Sequence, residues 1–384
     1  MIDRGSFLGG VTAALAAPTT LNLPNFTQTL SIAVVCPLSG PYTKAGEQLV
    51  NGVRAAIDEA NQLHFSTTNK AYTIRTFDDA NQVANALVNA QFAITDQSQL
   101  AVIGHLGAQT TSAVVRTYAE AGMPLLVPAS TYDNITAQGY RNVFRLPTSD
   151  FTEGQLLAKY VFQTYAPKNA HALVQDGDYG SDVASGWVSQ MNAQKIPNAF
   201  TQFSFAKPDY DAAVTAALAA KPDHITLAGN VADMGPALAL LRTRGYTGPI
   251  AASQGFFDGL TLSKYASAAE GLVIATSMPY LAIAPSAYRP VSDYEARYGQ
   301  LTPLSAFAYA ATQIVISVMQ RTGASARNTL LSALQTTGSY NTIVGTFSFG
   351  TTGDPIDPNL YFYAIKSGKL TYVRQAHPSG FLPK

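Results

Sequence analysis

The feature that most constrains this chain is a repeated unit in which a short apolar strand breaks at small residues and passes into a helical run. The first unit is Leu30-Ser-Ile-Ala-Val-Val-Cys36, broken at Pro37-Leu-Ser-Gly-Pro41 and followed by a helix expected over residues 45–61. The pattern returns at Ala101-Val-Ile103, which opens into Gly104-His-Leu-Gly-Ala-Gln-Thr-Thr111, and at residues 123–127, which open into Pro128-Ala-Ser-Thr131. Strands that alternate with helices pair in parallel, and the helices cover both faces of the sheet. Each turn then sets backbone N–H groups and hydroxyls at a helix start, where α/β proteins hold small polar ligands.

A second run of the same grammar follows. Helices are expected at residues 152–165, 182–195, 210–220 and 233–244, leading into strands at 171–175, 202–205, 224–228 and 250–252. Two runs imply two lobes, and 384 residues with 47% hydrophobic content suffice to bury a core in each. The tail departs from alternation, with helices at 288–298, 307–321 and 327–335 and strands near 345–349 and 360–365. No low-complexity linker intervenes, so the joints are short crossings such as residues 145–148 and 275–278, which suits a hinge. The fold class is α/β with two doubly wound parallel-sheet lobes.

Composition excludes several functions. The 24 basic and 24 acidic residues cancel and form no basic stripe, so nucleic acid is not an expected partner. Cys36 is the single cysteine, which rules out an intramolecular disulfide or a thiolate metal cluster and reads as a buried thiol. The histidines at 64, 105, 171, 224 and 377 have no metal-ligand spacing, and no Gly-x-Ser-x-Gly elbow, Walker loop or dinucleotide fingerprint is present. Neither a catalytic centre, a metal nor a cofactor is expected; His105 reads as a hydrogen-bonded loop residue. At the N-terminus Arg4 precedes the apolar run Phe7 to Ala17, which ends in small residues and Pro18 as an export signal does. Arg4-Gly-Ser-Phe-Leu8 looks like a twin-arginine signal without its second arginine. The run is too short to span a bilayer, and no cysteine follows it closely enough to take a lipid, so a free exported protein is expected.

Ser31-Ile-Ala-Val-Val-Cys-Pro-Leu-Ser-Gly-Pro41, Val102-Ile-Gly-His105, Gly122-Met-Pro-Leu-Leu-Val-Pro-Ala-Ser-Thr131, Asn142-Val-Phe-Arg145, Asp178-Tyr-Gly180 and Ala269-Glu-Gly-Leu272 resemble, in this order, the type I periplasmic binding proteins. The branch they resemble most is the leucine/isoleucine/valine-binding one that serves ABC importers. The resemblance implies two lobes joined by three crossings, a solute cleft between them, no catalytic activity, a periplasmic location, a monomer, and an ABC permease of the inner membrane as partner. It also implies discontinuous lobes: a leader at residues 1–27, lobe one from 28–147 plus 277–342, and lobe two from 148–276 plus 343–384.

Strand ends facing a shared cleft supply its lining from residues 38–39, 107–111, 129–131, 176–179, 229–230 and 253–257. A solute carboxylate needs hydroxyls and backbone N–H groups, which Ser130, Thr131, Thr110 and the amides of Gly107, Ala108 and Gln109 offer, unless these hydroxyls serve only as helix caps. In amino-acid binders of the family, a serine on the first clamp loop and a glutamate on a lobe-two loop hold carboxylate and amine; the matching positions here are Ala108 and Gln254. Asn230 stands where a tyrosine is often found, and Tyr179 matches. Asp176 or Asp178 either restores the lost carboxylate or forms a turn. Phe256, Phe257, Tyr42 and Tyr280 are aromatic wall or core, and Trp187 reads as packing. The expected ligand-binding set is Gly107, Ala108, Gln109, Ala129, Ser130, Thr131, Tyr179, Asn230 and Gln254. The expected solute is a small hydrophobic amino acid or a related apolar carboxylate or amide. The alternatives are an aromatic acid, or a sensor or amide-responsive regulator on the same fold.

Overall fold

The structure, a computed structural model, describes residues 28–63, 70–204, 206–281, 287–336, 338–358, 360–377 and 380–381. The expected export signal lies outside them. The first run forms strands β1 (Gln28–Cys36), β2 (Lys70–Asp78), β3 (Gln99–Gly104), β4 (Leu125–Val127) and β5 (Val143–Arg145), joined by helices α1 (Thr43–Leu63), α2 (Val83–Thr95) and α3 (Ala108–Glu120). They make a five-stranded sheet in the order β2-β1-β3-β4-β5, parallel throughout. β1 and β3 are buried along almost their whole length because both faces carry helices.

The chain then crosses to the second lobe. There α4 (Asp150–Tyr165), β6 (Ala170–Gln175), α5 (Asp178–Ala193), β7 (Asn198–Phe203), α6 (Tyr210–Ala219), β8 (His224–Ala228), α7 (Val231–Thr243), β9 (Ile250–Ala252) and β10 (Val273–Thr276) repeat the alternation. α4 and α5 approach very closely: a Cβ on Gly154 would lie 2.0 Å from the Val183 carbonyl oxygen, and one on Gly186 1.9 Å from that of Phe151. Only glycine permits that contact, and it sets the N-termini of both helices side by side. Trp187 is fully buried in this layer, as expected of a packing residue.

The tail returns to lobe one as α8 (Tyr288–Tyr298), α9 (Pro303–Thr322) and α10 (Arg327–Thr336), with α9 packed along α1. It then forms a hairpin, β11 (Tyr340–Thr342) with β12 (Gly345–Phe347). The lobe boundary expected at 342/343 falls inside this hairpin. Ile343 and Val344 pack into the first lobe's core, and the Gly353 carbonyl accepts the Arg145 N–H at 2.9 Å. Apolar side chains in the loop of the hairpin hold it there, so the chain leaves lobe one only after Asp354. Strand β13 (Leu360–Lys366) then adds antiparallel to β10, β14 (Lys369–His377) antiparallel to β13 and β15 (Gly380–Phe381) antiparallel to β14, completing the order β15-β14-β13-β10-β9-β8-β6-β7.

Two crossings are tied directly, since the Thr148 N–H donates to Ser277 Oγ at 3.1 Å. No described helix is long and apolar enough to cross a membrane.

Candidate functional site

The C-terminal strand ends of both sheets face one cleft of about 540 Å³. Lobe one contributes the loop after β4, with Ala129, Ser130, Thr131 and Tyr132, together with Ala108 at the start of α3. Lobe two contributes Tyr179, Asn230 and the Gln254-Gly255 turn, each at the end of a parallel strand. Pro303, Leu304 and Phe307 from the first turns of α9 close the apolar side. The volume suits a small solute, and the lining mixes apolar surface with few polar groups, as small-molecule sites do.

Two members of the expected set do not line the cleft. Gly107 is a packing glycine: a Cβ there would lie 2.3 Å from Asn81 Oδ1, and its carbonyl accepts the Thr110 and Thr111 hydroxyls at 3.0 and 2.7 Å. Thr110 is therefore a buried helix-start residue whose hydroxyl bonds back to the Gly107 carbonyl, and no side chain caps α3. Gln109 is exposed and its Nε2 donates to Asp178 Oδ2 at 2.7 Å, joining lobe one to lobe two. The other seven expected residues line the cleft.

On lobe two a buried support lies behind the wall. Glu153 of α4 is fully buried, and its Oε1 accepts the Gln254 N–H at 2.6 Å. Burial pushes its carboxyl well above the usual range, with the Asp150 charge adding to the effect. Tyr179 Oη accepts the Gly255 N–H at 2.9 Å, so the Tyr179 ring and the 254–255 turn move as one unit. Gln175 Oε1 accepts the Asn230 N–H at 2.7 Å, while its Nε2 donates to Asp233. These bonds fix the backbone of the wall, with Gln254 in the cleft lining.

On lobe one the fixing group is Arg145, 1% exposed. Its Nη1 donates to the carbonyls of Thr131 and Tyr132 at 2.9 and 2.7 Å, its Nη2 to Thr136 Oγ1 at 3.0 Å, and its Nε to Asp354 Oδ1 at 2.8 Å. A single buried guanidinium thus ties the clamp loop to the segment entering the third crossing. Its fork geometry suits such a multidentate role.

Sequence reasoning missed several contributors, Asp150, Phe307 and Tyr132 among them. Asp150, 2% exposed, lines the cleft as the first residue of α4; in sequence it looks like an ordinary acid at a helix start. Burial raises its carboxyl to about 7, and the charges of Asp133 and Asp182 also push upward. Phe307 lies one turn inside α9 rather than at its start, because Thr302 and Ser305 form a reciprocal cap ahead of it. The Thr302-Pro-Leu-Ser305 pattern was the available signal. Tyr132 extends the clamp loop by one residue.

Of the aromatic groups read as cleft wall or core, none lines the cleft. Phe256 is core, Phe257 packs on Tyr363 with ring centroids 5.0 Å apart, Tyr280 stacks on Tyr372 at 5.1 Å, and Tyr42 is 50% exposed. His105 is buried, with Nδ1 2.7 Å from Asp79 Oδ2 and Nε2 3.2 Å from Tyr118 Oη, a satisfied loop histidine. Cys36 is buried and its thiol is pushed far up by desolvation, leaving it unreactive.

With this geometry in place, comparison with known proteins is decisive. The sequence profile of the family described as periplasmic binding protein matches residues 29–369. The chain belongs to that family. Its fold is that of the type I periplasmic binding proteins. It is 25% identical over 335 residues to the leucine-specific-binding protein of Salmonella typhimurium, covering 85% of this chain and 88% of that protein. A leucine binding protein of Thermotoga maritima superposes with a TM-score of 0.79 at 22% identity, covering 91% and 99% of the two chains. A solute binding protein of Rhodopseudomonas palustris in complex with 3,4-dihydroxybenzoic acid superposes with a TM-score of 0.76 at 18% identity, covering 91% and 97%. Members of the family are solute-binding proteins and not enzymes.

Proposed function

We propose that this chain is an exported, periplasmic solute-binding component of an ABC importer that captures a small hydrophobic amino acid in the cleft between its lobes. The observation that carries the reading is the pairing of two fixed walls across one small-solute cavity. Ser130 and Thr131, with the backbone amides beside them, donate hydrogen bonds to a solute carboxylate on lobe one. Tyr179 covers the solute from lobe two, Phe307 and Leu304 receive an apolar side chain, and Gln254 is the polar contact where an amine lies. The leucine-specific-binding protein of Salmonella typhimurium and its relatives support this class of solute.

A second reading has its own support. Gln254 is neutral, the Asp178 carboxylate is engaged by Gln109, and burial raises the carboxyl of Asp150, the other acid in the lining, to about 7, so none of the three supplies a full counter-charge for an amine at neutral pH. That favours an apolar acid without an amine, the kind of solute present in the Rhodopseudomonas palustris protein with 3,4-dihydroxybenzoic acid.

Calorimetric titration of the wild type and Gln254→Glu with leucine, isoleucine, valine, phenylalanine, benzoate and 3,4-dihydroxybenzoate separates the two. For an amino acid, the added carboxylate should tighten binding about tenfold, the size of one charge-assisted hydrogen bond in a partly exposed site. An amine-free acid should bind at least about tenfold more weakly, because its own charge then faces an unpaired carboxylate. Equal affinities would remove Gln254 from the site.

A further inference from the structure

Beside the cleft, three carboxylates from three separate elements converge: Asp133 after the clamp loop, Asp150 at the start of α4, and Asp182 in the second turn of α5. One oxygen of each lies within 4.8 Å of one of the others in every pairing. Two ligands of one calcium ion stand no more than about 5 Å apart, since each lies about 2.3–2.6 Å from the metal.

A second observation, independent of the clustering, concerns Asp150. It is 2% exposed, and its Oδ1 is buried without a hydrogen-bond partner. A carboxylate oxygen left in that condition costs free energy unless a cation or a proton meets it. Among the described residues none of the three acids pairs with a Lys, Arg or His side chain. Arg145 is near, but its donors are directed to Asp354, Thr136 and the carbonyls of Thr131 and Tyr132. Burial holds the Asp182 carboxyl above its usual range, and the charges of Asp133 and of Asp178, one turn before it, add to the effect.

We propose that Asp133, Asp150 and Asp182 bind a divalent cation of the calcium type at the edge of the cleft. Hard oxygen donors carrying three negative charges suit calcium or manganese, with water completing the shell. The ion would join the lobes, because Asp133 follows the lobe-one clamp loop while Asp150 and Asp182 belong to lobe-two helices. The cluster already sits at a seam: Asp133 Oδ2 accepts the Phe151 N–H at 2.9 Å, and the Thr131 carbonyl accepts the Asp150 N–H at 3.0 Å. The proposal does not depend on the identity of the solute.

The test uses the purified chain stripped with a chelator and then titrated with calcium chloride by calorimetry, without any solute, in parallel with terbium followed by tyrosine-sensitised emission. Tyr132 lies close enough to feel the charges of Asp133, Asp178 and Asp182, so it can serve as the donor. The expected result is one site per chain, with Asp182→Asn weakening it at least tenfold. Asp182 is only half-buried, and a circular dichroism spectrum and melting curve like the wild type's show that this variant folds. Unchanged affinity in Asp182→Asn would overturn the site. So would the absence of any calcium or terbium binding at millimolar concentration, which would leave the cluster to protons or to a solute's ammonium group.

Discussion

Replacing Asp150 with asparagine should stabilise the fold above pH 7 by up to about 4 kcal/mol when no divalent cation is present. An aspartate titrates near 3.9 in an unfolded chain, whereas burial raises Asp150 to about 7 in the folded protein. Between those values the folded state holds a proton that the unfolded state has released, so the wild type loses stability as pH rises from about 4 through about 7. Three units at about 1.4 kcal/mol each give the upper limit. Asparagine has nothing to ionise, so its advantage should be absent below pH 4, grow through the window and level off above pH 7. Thermal melts of both proteins from pH 4 to 8.5 in chelator check this. An advantage that did not change with pH would mean that Asp150 stays ionised at no cost, against the description of its surroundings given above.

Arg145→Ala should act in the opposite direction, destabilising the chain by about 3–5 kcal/mol, since it leaves two loop carbonyls and a hydroxyl without their donor at about 1–3 kcal/mol each. Its loss strands the Asp354 carboxylate, 35% exposed in the native pair, and unpairs the carbonyls of Thr131 and Tyr132 and the Thr136 hydroxyl. Urea unfolding measures the loss. A variant within about 1 kcal/mol of the wild type would show that the clamp loop does not rely on this guanidinium. Arg145→Lys should recover only part of the deficit, because an ammonium cannot reproduce the planar fork that reaches Asp354 and both carbonyls together.

Arg145 also illustrates how far the sequence could be read. Its motif, Asn142-Val-Phe-Arg145, placed it at a crossing, and the apolar run before it placed β4, because a strand buried on both faces must be apolar along its length; the three-residue strand β5 was too short to stand out from the crossing it leads into. The same logic located the strand ends, and with them Ala108, Ala129, Ser130, Thr131, Tyr179, Asn230 and Gln254. What it could not supply was the partner of Arg145. Asp354 comes from a Gly- and Thr-rich stretch with no periodic pattern, and only the return of the tail to lobe one brings it near. The hairpin misled for a similar reason: Ile343 and Val344 look like the start of a new strand, yet they are the apolar loop of a short hairpin seated on the first core.

The acidic cluster was hidden more deeply. Asp133, Asp150 and Asp182 each satisfy a local rule for an acid near a turn or a helix start, which exhausts what a linear reading can say of them. Their convergence depends on the close packing of α4 on α5 through Gly154 and Gly186, a tertiary fact. Gly107 shows the reverse case, where a residue at a promising turn proves to be needed for its lack of a side chain.

The account as a whole rests on two fixed walls closing on a small solute about a hinge of short crossings. A bound solute that touches both walls favours the closed arrangement by its extra contacts there. Small-angle scattering of the purified chain, alone and saturated with leucine or with whichever of the titrated compounds binds, tests this most directly. The account predicts one-to-one binding with a smaller radius of gyration; binding that leaves the radius unchanged, or no binding by any of these amino acids and acids, would contradict it.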